Sequence, residues 1–187
     1  YKIGAYPSFL LLNGKGELLY KFVGGKSADV FMAEIRKGMK PDNRVKSMDD
    51  TYATGKYSND FLREYVQLKL QLLEKGESLR LGKEYFDKIS PEERLQPENW
   101  FLFADRTLGG INSTNMRYLL EHWQDFVRVQ GEEKVYERIT AFYRDMTEWV
   151  LQGWYFRDFE RNPEDFVDYR QRISAIPLPC QNDYLVM

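Results

Sequence analysis

Apolar and polar positions divide the start of the chain into two short runs with a turn between them. Residues 8–12 form an apolar run that ends at Asn13-Gly14-Lys15-Gly16, and the apolar pattern resumes over residues 17–23. Asn-Gly sequences accept the positive φ angles that tight hairpins require, so this pattern predicts two antiparallel strands. Apolar residues then recur at the spacing of one helix face: Ala28, Phe31, Met32, Ile35 and Met39. Residues 1–40 are therefore expected to form a β-β-α element.

The chain beyond Pro41 follows a helical period throughout. Apolar spacing predicts helices near 43–53, 58–76, 77–89, 97–108, 114–129, 132–153 and 163–174. Short breakers separate them, among them Ser90-Pro91, Gly109-Gly110, Gly131 and Asn162-Pro163. Residues 57–91 resemble one tetratricopeptide (TPR) unit, although the spacing does not recur. The predicted fold class is mainly α, with a β-β-α element over residues 1–40 and a helical-hairpin, TPR-like domain over residues 41–187.

Composition narrows the classes of partner. The chain has 187 residues, 43% of them hydrophobic, with a formal net charge of −2. A chain without excess positive charge is a poor nucleic-acid binder, and no apolar run approaches the length of a membrane span. The single cysteine, Cys180, excludes an intramolecular disulfide, a CxxC motif and a thiolate zinc site within this sequence. We therefore expect no nucleic-acid partner, no membrane span, no metal and no cofactor.

Few residues carry candidate chemistry. Cys180 lies in a loop-like tail without a helix N-terminus to activate it, and the single histidine, His122, is expected to be a partly packed or surface residue. Adjacent carboxylates such as Asp49-Asp50 diverge by about 100° on a helix, so they do not converge on a substrate. No catalytic residue is predicted in this chain.

Aromatic residues are dense near the C-terminus, between Phe142 and Tyr169. Most are expected in the core. The run Trp154-Tyr155-Phe156 cannot face inward all together from one helix, so part of it is a candidate contact surface.

The β-β-α element resembles the C-terminal third of the thioredoxin fold. The resemblance lies in Ile3-Gly4-Ala5-Tyr6-Pro7-Ser8-Phe9, the Asn-Gly turn, and the second strand that ends at Val23-Gly24. The helical part is similar to the C-terminal extension of some bacterial envelope thioredoxin-like proteins, through Tyr52-Ala53-x-Gly55, Phe61-Leu62-x-x-Tyr65 and Glu98-Asn99-Trp100. The resemblance implies a cis bond before Pro7, and a periplasmic or cell-envelope location.

The resemblance also implies a function. Thioredoxin-like proteins carry out thiol-disulfide exchange with a CxxC motif upstream of the cis-proline, and this sequence begins after that point. The chain is therefore expected to be the C-terminal part of a thioredoxin-like protein, lacking the CxxC site, and to show no disulfide reduction alone. The resemblance assigns Tyr6 and Pro7 to substrate binding, because in the family the adjacent backbone pairs with an extended protein or peptide thiol or disulfide substrate.

Two alternatives stay open. The chain could instead be a noncatalytic helical protein-interaction module with a degenerate thioredoxin-like element. A two-stranded sheet with one helix is marginal alone, so residues 1–40 are expected to dock either onto the helices or onto a second copy of the chain, as a homo-oligomer that covers the exposed sheet.

Overall fold

A computed structural model describes residues 3, 5–41, 45–111, 113–152 and 163–179. It is mainly helical, with 65% helix and one small antiparallel sheet. The first unit, Tyr1–Ile89, contains β1 (Ser8–Leu12), β2 (Leu18–Val23), α1 (Ala28–Met39), α2 (Val45–Ala53), α3 (Asn59–Gln71) and α4 (Lys75–Lys88). The second unit, Ser90–Met187, contains α5 (Pro91–Arg94), α6 (Phe101–Ala104), α7 (Thr114–Glu121), α8 (Trp123–Gln130), α9 (Glu132–Leu151) and α10 (Pro163–Ser174).

The predicted hairpin is confirmed. β1 and β2 pair antiparallel with Phe9 opposite Phe22, and a bulge follows Leu11. The turn is held by Asn13, whose side-chain oxygen accepts hydrogen bonds from the Lys15 and Glu17 amides at 2.9 and 3.0 Å. Among the described residues, strand occurs only in this hairpin, as the sequence predicts.

Helix α1 packs on one face of the hairpin. The Phe31 ring meets Phe9 and Phe22 edge-on, with centroids 5.0 and 5.3 Å apart. Gly38 lies against Tyr20 so closely that a Cβ there would be 2.5 Å from the Tyr20 Cβ. The side of α1 that carries Gly38 therefore lies against the sheet. This is not the face that the apolar spacing predicts to be buried.

Three of the residues predicted on the buried face of α1, namely Ala28, Met32 and Met39, are exposed. Met32 and Met39 are 46% and 63% exposed. The sequence pattern missed this because it cannot show that the closest approach to the sheet is made by a glycine. The prediction of the helix was right, and that of its packing face was wrong at these three positions.

Helices α3 and α4 form the antiparallel hairpin expected from the sequence, but the first of them ends earlier than predicted. Ser58 caps its start by accepting a hydrogen bond from the Phe61 amide at 3.1 Å. Its end is at Gln71 rather than Gly76, because Leu73 adopts a left-handed conformation with φ 54°. The Glu74 amide then donates to the Lys69 carbonyl at 3.0 Å, which closes the helix by a Schellman motif.

The hairpin belongs to the same compact unit as α2, α3 and α4. β2 contacts α2, where Val45 and Met48 are buried. This agrees with the expectation that residues 1–40 dock onto helices. The structure divides into two compact units, with the boundary after Ile89. The predicted domain boundary at residue 40 is a separate matter, because it follows from the family resemblance, and it stays a prediction.

In the second unit the predicted helix over 97–108 is wrong. A short 3-10 turn, Pro97–Asn99, precedes α6, which is a single turn. The helix cannot continue because the Asp105 side chain accepts a hydrogen bond from the Thr107 amide at 2.7 Å. The buried Arg138 of α9 fixes the loop that follows, donating to the carbonyls of Phe103 and Gly109 at 2.6 Å each.

The predicted helix over 114–129 is also broken, at His122. This residue ends α7 and precedes α8, with φ −115° and ψ 22° outside the helical range. Its ring packs on Tyr118, with centroids 4.3 Å apart, so the partly packed histidine that the sequence predicts is confirmed.

Helix α9 supplies much of the core of the second unit. Phe142 and Tyr143 are each 2% exposed, as expected of core aromatics. The run Trp154-Tyr155-Phe156 lies outside the described residues, as does Cys180. No helix in the described part of the chain is long and apolar enough to cross a membrane.

We predict that Gly38→Ala destabilises the protein by about 1–3 kcal/mol, because the added methyl group would overlap the Tyr20 side chain. Gly76→Ala is the matched control. Nothing lies within 4 Å of a Cβ at Gly76, so alanine there is expected to stabilise α4 by up to about 1 kcal/mol. Urea unfolding of both variants measures the difference, and equal effects would contradict the close contact.

Candidate functional site

Tyr6 and Pro7, the two site residues predicted from the sequence, lie at the entrance to β1. The bond between them is cis, and Tyr6 is 91% exposed. The Pro7 carbonyl accepts a hydrogen bond from the Gly24 amide at 2.9 Å, and the Ser8 hydroxyl donates to the Ala5 carbonyl at 2.6 Å. These bonds fix the backbone at this point, while the Tyr6 ring projects from the surface.

The edge of β1 beside Tyr6 pairs with no other strand among the described residues, since the sheet has the order β1-β2. An unpaired strand edge presents backbone donors and acceptors that an extended polypeptide can use. The structure therefore brings an exposed aromatic ring and an open strand edge together.

An ion cluster with two buried lysines lies in the same unit, and the apolar pattern of the sequence does not reveal it. It comprises Lys21, Asp49, Tyr65, Lys69 and Glu74. The Lys69 ammonium is 2.9 Å from an Asp49 carboxylate oxygen and 3.3 Å from one of Glu74. The Lys21 ammonium lies 3.7 Å from the other Glu74 oxygen. The two lysine side chains are only 1% and 6% exposed, whereas the Asp49 side chain is 46% exposed. The ammonium groups are therefore buried, and one of the carboxylates that pair with them reaches the surface.

The positions of these residues follow from the local structure. Alternation along β2 sends Lys21 to the face opposite Tyr20 and Phe22. Tyr65 and Lys69 are four residues apart on α3, so they share a helix face. The Schellman turn at Leu73 places the Glu74 carboxylate beside both lysines.

Tyr65 completes the cluster by donating a hydrogen bond to Asp49 at 2.5 Å. Burial and this carboxylate raise the pKa of Tyr65 far above its ordinary value, so the phenol keeps its proton. A cavity of about 310 Å³ adjoins the cluster. Because each ammonium faces a carboxylate, the arrangement joins β2, α2 and α3 rather than presenting a free nucleophile.

A second cluster lies at the surface of α4, around Glu84. Its carboxylate accepts hydrogen bonds from the hydroxyls of Tyr52 and Tyr57 at 2.6 and 2.7 Å and from Lys88 at 2.8 Å. Burial raises the pKa of Glu84, but the hydrogen bonds from Lys88, Tyr52 and Tyr57 outweigh it and lower the pKa to about 2. The carboxylate is therefore ionised at neutral pH and cannot act as a general acid there.

Other candidate groups are dispersed. His122 faces Asp125 at 3.6 Å, without a nucleophile beside it in the sequence. Asp49 and Asp50 diverge as predicted, Asp50 pairing with Lys46 at the surface. Within the described ranges no group of three or more histidine, cysteine, aspartate or glutamate side chains could hold a metal ion.

One sequence signal could have revealed the buried cluster. Lys21 interrupts the apolar run of β2 between Tyr20 and Phe22, in a strand that the structure buries. A lysine in such a run needs an acidic partner. Glu74 could not be chosen as that partner from spacing alone, because its position depends on the non-glycine left-handed turn at Leu73.

Comparison of the chain with protein-family models, with curated proteins and with solved structures gives no match. Functional assignment therefore depends on the geometry of the chain's own residues and on the resemblance described above.

We predict that Glu74→Gln lowers the free energy of unfolding by about 3 kcal/mol, because it leaves two buried ammonium groups without their shared carboxylate. The matched control is Asp60→Asn, which removes an exposed pair with Arg63 and is expected to change stability by less than about 1 kcal/mol. Chemical denaturation checks both values. Equal effects of the two variants would show that the buried cluster contributes little.

Acid should weaken the fold through Glu84. Its folded-state pKa of about 2 lies below the ordinary 4.5, so its contribution is present above about pH 4.5 and is lost as the pH falls toward 2. We expect wild type to lose about 1–2 kcal/mol more than Glu84→Gln between pH 7 and pH 3, after allowance for solvent screening. Asp87→Asn, at an exposed position of the same helix, should follow wild type. Parallel pH curves for wild type and Glu84→Gln would contradict this prediction.

Proposed function

We propose that the chain is the C-terminal part of a thioredoxin-like protein that acts in thiol-disulfide exchange, with residues 1–40 completing the thioredoxin-like domain and the TPR-like helices following it. The observation that carries this proposal is the exposed Tyr6 ring beside an open β1 edge. An extended substrate segment could pair with that edge while its side chains meet the ring. Tyr6 and Pro7 would then contact substrate, and the reactive cysteines would lie on residues that this sequence does not contain.

The packing of the element supports this role. The aromatic cluster of Phe9, Phe22 and Phe31 holds the hairpin against α1. The Pro7 carbonyl is tied to Gly24 at the other end of the hairpin. A backbone held in this way presents its free edge in one geometry, which lowers the entropic cost of pairing with a substrate strand. A cell-envelope location belongs to the same proposal.

A noncatalytic interaction module is the second candidate. The observation that favours it is the burial of Lys21 in the ion cluster, which makes β2 a structural part of the helical unit. In that case the hairpin stabilises α2 to α4, and binding to a protein partner is the activity.

The experiment uses the protein expressed from its complete reading frame, with dithiothreitol as reductant and insulin as the disulfide substrate. We expect turnover, and we expect none from residues 1–187 alone above the level of the Cys180→Ser variant, since one cysteine cannot form an intramolecular disulfide. No turnover by the complete protein would overturn the redox proposal and favour the interaction module.

The role of Tyr6 is tested separately. In the complete protein, Tyr6→Ala should raise KM for a peptide disulfide about fivefold while kcat changes little, because the ring acts in binding. Met39→Ala is the matched control, at an apolar side chain exposed elsewhere on the same unit. Identical KM values for wild type and Tyr6→Ala would remove Tyr6 from the substrate site.

A further inference from the structure

The open edge of β1 presents a defined set of backbone hydrogen-bonding groups. The Gly24 amide donates to the Pro7 carbonyl, so the residues of β1 that bond to β2 are Pro7 and every second residue after it. The amides and carbonyls of Ser8 and Leu10 therefore point away from β2. The sheet has the order β1-β2, so among the described residues no strand pairs with them. β1 also has no charged side chain that would oppose pairing with another strand.

Helix α1 has an apolar flank on the side of this open edge. Glu34 accepts a hydrogen bond from the Tyr20 hydroxyl of β2 at 2.8 Å, so the flank of α1 that carries Glu34 lies on the β2 side. At 100° per residue, the opposite flank carries Ala28, Met32 and Ile35. Met32 is 46% exposed. An uncovered apolar helix flank and an unpaired strand edge therefore lie next to each other.

A two-fold axis at Leu10 covers both features with one second copy of the chain. Antiparallel pairing of β1 with its counterpart gives a four-stranded sheet in the order β2-β1-β1-β2, with both α1 helices on the same face. The Phe31 ring of α1 lies 5.0 and 5.3 Å from the rings of Phe9 and Phe22, so α1 lies above the line between β1 and β2. Because strands are about 4.8 Å apart, the two helix axes are then about 10 Å apart, a distance at which helices pack.

The charges of α1 also match this arrangement. The first turn of the helix carries Asp29, and its last turn carries Arg36 and Lys37. The two-fold axis reverses the direction of the second helix, so the acidic first turn of each copy lies beside the basic last turn of the other. The opposed helix dipoles are favourable for the same reason. Backbone groups, apolar flank and charge are thus complementary to the same surface of a second copy.

We propose that two copies of the chain form a symmetric dimer through β1 and α1. The β1 strands pair antiparallel around Leu10, and the α1 flanks that carry Met32 and Ile35 pack against each other above the sheet. The dimer occupies the edge that the proposed function assigns to an extended substrate, so the second copy and the substrate compete for it. The dimer does not rest on that function, because none of its contacts involves redox chemistry.

The first test is sedimentation equilibrium of the 187-residue chain between about 1 and about 500 µM, where we expect a reversible dimer. Met32→Lys puts a charge into the helix contact, so the dimer Kd should rise at least about tenfold, whereas Met32→Leu should retain the dimer. Val30→Lys is the matched control, because Val30 is 47% exposed on the other flank of α1. Its Kd should equal that of wild type. A monomer at every concentration, or equal losses in Met32→Lys and Val30→Lys, would overturn the proposal.

The second test locates the two-fold axis by disulfide cross-linking in the Cys180→Ser background. At the axis the two Leu10 Cα atoms are about 5.5 Å apart, within the range of a disulfide, so Leu10→Cys should give a covalent dimer under mild oxidation. Leu12→Cys is the matched control. Leu12 is 40% exposed on the same strand, but its two copies lie about 13 Å apart across the axis. Equal cross-linking of the two variants would indicate random collision and would overturn the proposal.

The protein expressed from its complete reading frame distinguishes a second copy from another occupant of the edge. We expect it to dimerise, and we expect Met32→Lys to weaken that dimer as it does in the 187-residue chain. A monomeric complete protein would show that another part of the polypeptide covers β1, and would overturn the proposal. Redox turnover is measured separately, so loss of the dimer and loss of the proposed function are distinguishable. Circular dichroism checks that each variant retains its helix content.

Discussion

The Glu74 carboxylate forms ion pairs with two buried lysines that come from different parts of the first unit. Lys21 belongs to the hairpin and Lys69 to α3, and both ammonium groups lie within 4 Å of its carboxylate, at 3.7 and 3.3 Å. Removing an ammonium group from water costs several kcal/mol, and a carboxylate must offset that cost if the group is to stay buried. The Glu74 carboxylate therefore helps to hold β2 against the helices, together with Asp49, which pairs with Lys69 at 2.9 Å.

The turn that places Glu74 contains one residue, Leu73, in an unfavourable backbone conformation. Leu73 has φ 54°, a region that costs a residue with a Cβ roughly 1–2 kcal/mol. In return, the Schellman hydrogen bonds satisfy two carbonyls at the end of α3. A hairpin that is marginal by itself is thus stabilised by contacts that lie far from it in sequence. The Tyr6 ring and the open β1 edge depend on the same anchoring, because both are parts of that hairpin.

Local sequence signals predicted the elements better than their ends. The Asn13 turn and the Ser58 cap are encoded by single side chains acting on neighbouring amides, so they were predictable. The breaks at Asp105 and His122 were not, because both residues lie in stretches with helical apolar spacing. The break after α6 follows from the Asp105 turn and from the distant Arg138, whose hydrogen bonds no local pattern reveals.

The candidate sites also differ in whether local sequence signals or only long-range contacts reveal them. Tyr6 and Pro7 could be chosen by resemblance, since their neighbours in sequence carry the motif. Lys21 and Glu74 become a cluster only through packing and helix geometry. Charged residues in a helix ordinarily form a solvated face, and sequence alone does not reveal which of them lack partners.

Native-state hydrogen exchange tests most directly whether the hairpin and the helices of the first unit are one cooperative structure. The amides of Tyr20 and Phe22 in β2 and of Leu62 and Val66 in α3 should exchange with the same opening free energy and the same dependence on denaturant, because the buried ion cluster joins them. Exchange of the β2 amides at a much lower free energy, while α3 stays protected, would contradict this account.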